Sequence, residues 1–214
     1  MKVIFLSHPF EHIIFEDVYD EKEYSDIVNE LEWLVTSNSF DSVNELEKSG
    51  AAYDLVTKKA ISNKRCLFLD VCYREDKRSL SKILTHNRKL IDLNGYEEET
   101  LKSIEESMIF KLYLKITNHD TTLVNFYQGG EDYRSHSDNT VFTCLWFHWK
   151  NRDSFKGGNL IFPEYNYAFE CKNNTAIMFP GPVKHAVQKL LQIDYDILET
   201  DGRYSITQFL SVKI

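Results

Sequence analysis

The chain has 214 residues, a formal net charge of −8, and 43% hydrophobic against 27% charged residues. That length can bury a core of its own, so one domain spanning 1–214 is expected. The acidic balance counts against a protein that grips phosphate backbone, because such proteins carry a basic patch or stripe, and no nucleic-acid partner is expected.

The chain opens on an apolar run, Met1 to Leu6, that His8 and Pro9 cut short. It is too short for a signal-peptide core or a membrane span and reads as a first strand. From Asp20 or Glu21, apolar residues recur at Tyr24, Ile27, Val28, Leu31 and Leu34, which is one face of a helix. Residues 66–71 read as a strand or extended segment. Residues 79–93 repeat the helical spacing with Leu80, Ile83, Leu84 and Leu90. A third helix is expected over 97–114, opened by an acidic first turn that suits the helix dipole. The basic residues at Lys58-Lys59, at Lys64-Arg65 and between Arg74 and Arg88 are interleaved with acids and read as solvated faces. Residues 1–118 are thus expected to form a mainly helical flanking part.

After Asn118 the texture changes to short aromatic and β-branched runs separated by turn signals. Strands are expected over 122–127, 141–149, 159–162, 167–171, 175–179, 186–189 and 203–212. Strands this short and this closely spaced suggest a sandwich or barrel of the jelly-roll type over 119–214, an α+β chain with a mainly β core. None of the four cysteines, Cys66, Cys72, Cys144 and Cys171, forms a C-x-x-C pair, and no Cys/His cluster reads as zinc. With no signal peptide or membrane span in view, a reduced, cytoplasmic protein is expected.

Three segments carry chemistry. In His136-Ser137-Asp138 the first and third side chains share one side of an extended chain, so one strand end offers two metal ligands. His185 follows a strand ending in Phe179-Pro180. Arg203-Tyr204-Ser205-Ile206-Thr207 then puts a guanidinium and two hydroxyls on one face of the last strand. Two histidines and one carboxylate can hold one face of Fe(II) and leave the rest open. A planar guanidinium matches a carboxylate in a two-bond fork.

The order Asn125-Phe126-Tyr127-Gln128-Gly129-Gly130, His136-Ser137-Asp138, Lys156-Gly157-Gly158, His185-Ala186-Val187 and Gly202-Arg203-Tyr204-Ser205 resembles the prolyl 4-hydroxylase-like family of Fe(II)/2-oxoglutarate-dependent dioxygenases. The resemblance runs from Asn125 to the C-terminus, under half of the chain. It implies a double-stranded β-helix, iron held by His136, Asp138 and His185, and 2-oxoglutarate held by Arg203, with Tyr127, Ser205 and Thr207 in support. It further implies O2 as oxidant, ascorbate as an accessory reductant, and hydroxylation of a C–H bond with release of succinate and CO2. A carboxylate at position 138 favours hydroxylation over halogenation, which would need a small residue there.

Arg203 lies 18 residues after His185 (203 − 185), further than is usual in that family, so 190–201 must form an excursion. Lys189 is nearer but lacks the R-x-S-x-T context. A peptidyl prolyl side chain is the substrate the resemblance suggests. A free amino acid or other small metabolite is a rival, and a metal- and ligand-binding module without turnover is a third reading. Segments 128–135, 150–156 and 190–201 are the candidate lids. Among the other histidines, His8, His12, His86 and His119 read as surface or capping residues, and His148 as a packed or outward-facing strand residue. Neither the oligomeric state nor the substrate follows from the sequence.

Overall fold

Alternation along the strands divides the molecule. On the long last strand Tyr204, Ile206 and Leu210 point to one side, while Arg203, Ser205 and Thr207 point to the other. The first set joins a core shared with helices; the second faces a smaller sheet and a cavity.

The computed structural model describes residues 1–40, 64–194 and 196–213. In chain order the strands are β1 (Lys2–Leu6), β2 (His12–Glu16), β3 (Arg65–Phe68), β4 (His119–Tyr127), β5 (Tyr133–His136), β6 (Phe142–Trp149), β7 (Phe155–Lys156), β8 (Leu160–Phe162), β9 (Tyr167–Phe169), β10 (Thr175–Pro180), β11 (His185–Val187), β12 (Leu191–Gln192) and β13 (Arg203–Ser211). The α-helices are α1 (Glu21–Thr36), α2 (Leu69–Cys72), α3 (Lys82–His86), α4 (Glu98–Glu106) and α5 (Met108–Tyr113). A seven-stranded antiparallel sheet runs β1-β2-β10-β6-β13-β4-β3, a four-stranded sheet runs β5-β11-β8-β9, and β12 pairs with β7. No described helix is long and apolar enough to cross a membrane.

One face of the large sheet presents Val124, Phe126, Phe142, Cys144, Trp146, Met178 and Ile206 to Ile27, Leu31, Ile83, Ile104 and Phe110 of the helices. The other presents Tyr127, Leu145, Phe147, Ile177 and Phe179 to Leu160, Phe162, Phe169 and Val187 of the small sheet. Burying both faces of the central strands explains why β6 is apolar nearly throughout.

The N-terminal part is less helical than its periodicity suggests. Helix α1 starts where expected, with Asp20 and Glu23 forming a capping box. The helix read over 79–93 is instead a 3-10 segment (Glu75–Leu80), the short α3 and a 3-10 turn (Asn87–Leu90). Ser81 breaks it by accepting the Leu84 N–H as an N-cap, and Leu80 is left 68% exposed. Ser107 breaks the helix read over 97–114 in the same way, capping the Phe110 N–H while donating to Glu11 Oε2 at 2.7 Å. The segment read over 66–71 is a strand that turns into α2 at Leu69. Strands β1 and β3 are the two edges of the sheet that holds β4, β6, β10 and β13, and β2 lies between β1 and β10, so the first part of the chain completes the β core as well as flanking it. The excursion over 190–201 carries β12, which lies against β7. Lys58 and Lys59 lie outside the described residues.

Candidate active site

The ligand segments meet because β11 pairs antiparallel with β5 in a register that sets His185 opposite His136. Their rings lie 4.3 Å apart between centroids. Asp138 follows β5 and is tied to the large sheet instead. Its backbone N–H donates to Gly181 O at 2.9 Å, and Thr143 Oγ1 on β6 donates to its Oδ2 at 2.5 Å. His136 Nε2 stands 3.7 Å from Asp138 Oδ1, and His185 Nε2 stands 3.5 Å from Oδ2. One donor atom from each of the three residues thus falls within 4.8 Å of the others.

The chemistry of this donor set fits a divalent metal. His136 Nδ1–H donates to Arg134 O at 2.9 Å and His185 Nδ1–H to Val183 O at 3.0 Å. Those bonds fix the tautomer and leave both Nε2 lone pairs facing the carboxylate. Burial, and the neighbouring His185, push the His136 imidazole down to about 4; burial likewise holds His185 below its ordinary value. Both rings are therefore neutral at neutral pH, the form that binds a metal.

Beside the cluster lies a cavity of about 150 Å³, lined among others by Tyr127, Tyr133, Asn125, Thr207 and Lys64. Arg203 opens β13 opposite Tyr127 on one side and Trp149 on the other. It is 0% exposed, and its guanidinium carbon sits 5.0 Å from the ring centroids of both Tyr127 and Phe147. Its Nη2 contacts Cys171 Sγ at 3.6 Å, whereas Nε and Nη1 have no hydrogen-bond partner among the described residues. Buried N–H donors without acceptors are rare because each costs a hydrogen bond lost from water. A guanidinium left this way suits an acceptor from outside the described residues, and a carboxylate has the matching shape. Gly202 makes this placement sterically open, since a Cβ there would lie 2.4 Å from Tyr127 O.

The other predicted residues sort clearly. Thr207 lines the cavity, and it and Ser205 accept from Asn125 Nδ2 at 3.0 and 3.3 Å. Burial pushes the Tyr127 phenol well above its ordinary range, so it stays a donor. Lys189 is exposed, and Arg203 is the inward cation of the two. His148 is buried on the helix side of β6, 2.6 Å from Tyr24 Oη through Nδ1. His12, expected on the surface, is 0% exposed, with Phe10 and Tyr167 beside it. The three candidate lids hold one another: Gly130 N donates to Leu190 O and Leu190 N to Glu131 O, while β12 pairs with β7.

Four contributors were not anticipated. Asn125 lies two residues before Tyr127 on the same strand face, which alternation alone could have flagged. Tyr133 stacks on His136 at 3.8 Å. Thr143 braces Asp138. Lys64, read as part of a solvated face, is instead turned inward: its Nζ bonds Asn125 Oδ1 and sits 4.2 Å from the Tyr133 ring centroid. It precedes β3, whose pairing with β4 no local pattern announces.

No family model matches the chain, and no curated protein matches it in sequence. Solved structures do. A prolyl-4-hydroxylase from Pseudomonas putida superposes with a TM-score of 0.58 at 11% identity, covering 95% of this chain and 93% of that one. The chain has the prolyl 4-hydroxylase fold. A structure of prolyl 4-hydroxylases from Phytophthora capsici gives 0.53 at 16% identity, covering 94% of this chain and 58% of that one. At such identities the shared property is the fold, and the site must speak for the chemistry.

Proposed function

We propose that the chain is an Fe(II)- and 2-oxoglutarate-dependent dioxygenase that hydroxylates a C–H bond, with a double-stranded β-helix core. His136, Asp138 and His185 would hold the iron, and Arg203 the distal carboxylate of 2-oxoglutarate. The observation that carries the reading is Arg203, fully buried with two N–H groups lacking acceptors among the described residues, in the same fold layer as a neutral His/His pair facing one carboxylate. Iron bound there would supply O2 activation, coupling oxidation of 2-oxoglutarate to succinate and CO2 with oxygen insertion into a substrate C–H bond. Ascorbate is the reductant to include.

The chain's own residues have definable tasks. The carbonyls of Arg134 and Val183 keep both imidazoles in the tautomer that offers Nε2. Thr143 orients the Asp138 carboxylate. Arg203, with the Tyr127 phenol, would fix a dicarboxylate end-on, and the walls of Leu145, Leu160 and Val187 exclude water from it.

A peptidyl substrate, with proline the first choice, is supported by a second concavity. A groove of about 530 Å³ lined by Phe10, Tyr113, Tyr165, Pro182 and Val183 shares the 181–183 loop with the metal cluster. Gly181 and Val183 carbonyls in that loop hold Asp138 and His185. The test is anaerobic addition of Fe(II) and then 2-oxoglutarate, with Asp138→Ala alongside. A visible metal-to-ligand charge-transfer band in the wild type alone is expected. A folded wild type without the band overturns the reading in favour of a binding module. Succinate release with proline-containing peptides against free amino acids then separates the substrate classes.

A further inference from the structure

Cys171 provides the one hydrogen-bond contact that the Arg203 guanidinium makes among the described residues, with Sγ 3.6 Å from Nη2. The thiol is 2% exposed and stands two residues beyond β9 of the small sheet, whereas Arg203 belongs to the large one. Its own hydrogen is used elsewhere, since Sγ–H donates to Phe169 O at 3.8 Å. A sulfur lone pair therefore faces the Nη2 N–H. The segment is pinned without help from the thiol. Trp149 Nε1 donates to Cys171 O at 3.2 Å, and Asn173 is bonded to both the N–H and the carbonyl of Trp149, at 2.6 and 3.0 Å. Trp149 is also the β6 residue opposite Arg203, so sulfur and guanidinium are both placed relative to one residue.

A guanidinium needs two restraints to present a fork to a carboxylate. Its tilt must be held, and so must its rotation within its own plane. The rings of Tyr127 and Phe147, each with its centroid 5.0 Å from the guanidinium carbon, bear on the tilt. They do little for the in-plane rotation, because a π face attracts the cation without preferring one N–H to another. Cys171 supplies the second restraint. Nη2 carries two N–H groups, one on the edge shared with Nε and one on the edge shared with Nη1. A sulfur that takes one of them leaves the other edge whole, and a carboxylate forks onto a whole edge. The unpartnered Nε and Nη1 lie one on each edge, so the thiol decides which edge is free. Sulfur is a weak acceptor, and an uncharged one here orients the cation without neutralising it. An aspartate in its place would hold the fork itself and close it to a ligand.

Resting on the co-substrate reading above, we infer that Cys171 is a positioning residue of the 2-oxoglutarate site: its sulfur sets the rotation of the Arg203 guanidinium so that one whole edge meets the distal carboxylate. It acts through Arg203 and not by contact with the co-substrate. Two acids separate this role from packing. 2-Oxoglutarate carries both carboxylates, while 2-oxovalerate has the same carbon chain and only the keto-acid end. Each is titrated anaerobically into the Fe(II)-loaded full chain and followed by the charge-transfer band, in wild type, Cys171→Ala, Cys171→Val and Cys171→Ser.

Losing one uncharged hydrogen bond of orientation, Cys171→Ala and Cys171→Val should bind 2-oxoglutarate roughly threefold to tenfold more weakly. Their affinity for 2-oxovalerate should stay at the wild-type value. Cys171→Ser, which keeps a lone pair in that place, should restore most of the loss. Wild-type affinity for 2-oxoglutarate in the alanine and valine variants overturns the inference. Equal weakening of both acids also overturns it, because the damage would then lie in the packing or in the metal cluster. So does a serine variant as weak as the alanine one. Should Cys171→Ala not fold, Cys171→Val, which fills the space, decides with Cys171→Ser. A wild type that gives no band with either acid removes the co-substrate reading itself, a different failure from variants that match a competent wild type.

Discussion

Replacing Arg203 with methionine should move stability and binding in opposite directions. The guanidinium is fully buried, with Nε and Nη1 lacking acceptors among the described residues. Each orphan donor costs about 1–3 kcal/mol, so the two destabilise the fold by about 2–6 kcal/mol. The faces of Tyr127 and Phe147, both 5.0 Å away, offset about 1–4 kcal/mol of that. Methionine keeps most of the length, fills the space adaptably and has no donor to leave unpaired. At the middle of those ranges the net gain is about 1.5 kcal/mol, so the metal-free variant should melt about 3–6 °C above the wild type at 2–4 °C per kcal/mol for a chain of this size. With a divalent metal present, 2-oxoglutarate at a hundred times its Kd should stabilise the wild type by about 2.7 kcal/mol. The variant, lacking two charge-assisted hydrogen bonds at about 1.5–3 kcal/mol each, should bind at least about a hundredfold more weakly and gain almost nothing at that concentration. Thermal denaturation with and without ligand reads both effects in one plate. A metal-free Arg203→Met that melts well below the wild type would show that the guanidinium is a structural partner. An unchanged ligand shift would show that another cation holds the carboxylate.

Thr143→Val removes the 2.5 Å hydrogen bond to Asp138 Oδ2 while keeping the side-chain shape, and metal affinity by calorimetry should fall roughly tenfold to a hundredfold. Gly181→Ala puts a Cβ 2.3 Å from Thr140 O in the loop whose Gly181 carbonyl holds the Asp138 N–H. It should cost about 1–3 kcal/mol in urea unfolding and weaken metal binding together with stability. His148 is held down to about 4, by burial first and by Lys150 second. Its folded value lies below its unfolded one, so its contribution is complete above about pH 6.5 and lost as pH falls toward 4. His148→Gln keeps an acceptor for Tyr24 and should lose about 2 kcal/mol less than the wild type between pH 7 and pH 5; equal losses would mean that His148 takes up its proton in the fold as readily as in the unfolded chain.

The site was legible where its residues are close in sequence or share one strand face. His136 and Asp138 stand two apart, and Arg203, Ser205 and Thr207 alternate on β13. The strands after Asn118 were likewise readable, because glycines and asparagines mark their ends. Strands β5 and β12 were not, since four and two residues carry too little alternation to register. The helices over 79–93 and 97–114 failed for a local reason: Ser81 and Ser107 sit inside an apolar period that spacing alone cannot interrupt, yet each bonds a backbone N–H three residues on and restarts the chain. Lys64 was illegible for a non-local one. Its direction depends on β3 finding β4, and a basic residue beside Arg65 looks solvated until that pairing is known.

The division of the three candidate ligands between the two sheets would give a bound metal a mechanical role besides the proposed chemical one. His136 and His185 belong to paired strands of the small sheet. Asp138 is fastened to the large sheet, through Thr143 on β6 and Gly181 just beyond β10. A cation held by all three would therefore tie the sheets together at the mouth of the cavity. Tyr127 lines the cavity from the large sheet with Arg203 opposite it on β13, so an occupant reaching from the metal ligands to Arg203 would span the same gap. Binding the metal and binding the dicarboxylate each reduce the freedom of one sheet against the other. The second to bind then finds its partners better placed, which predicts positive coupling between the two without any hinge or lid.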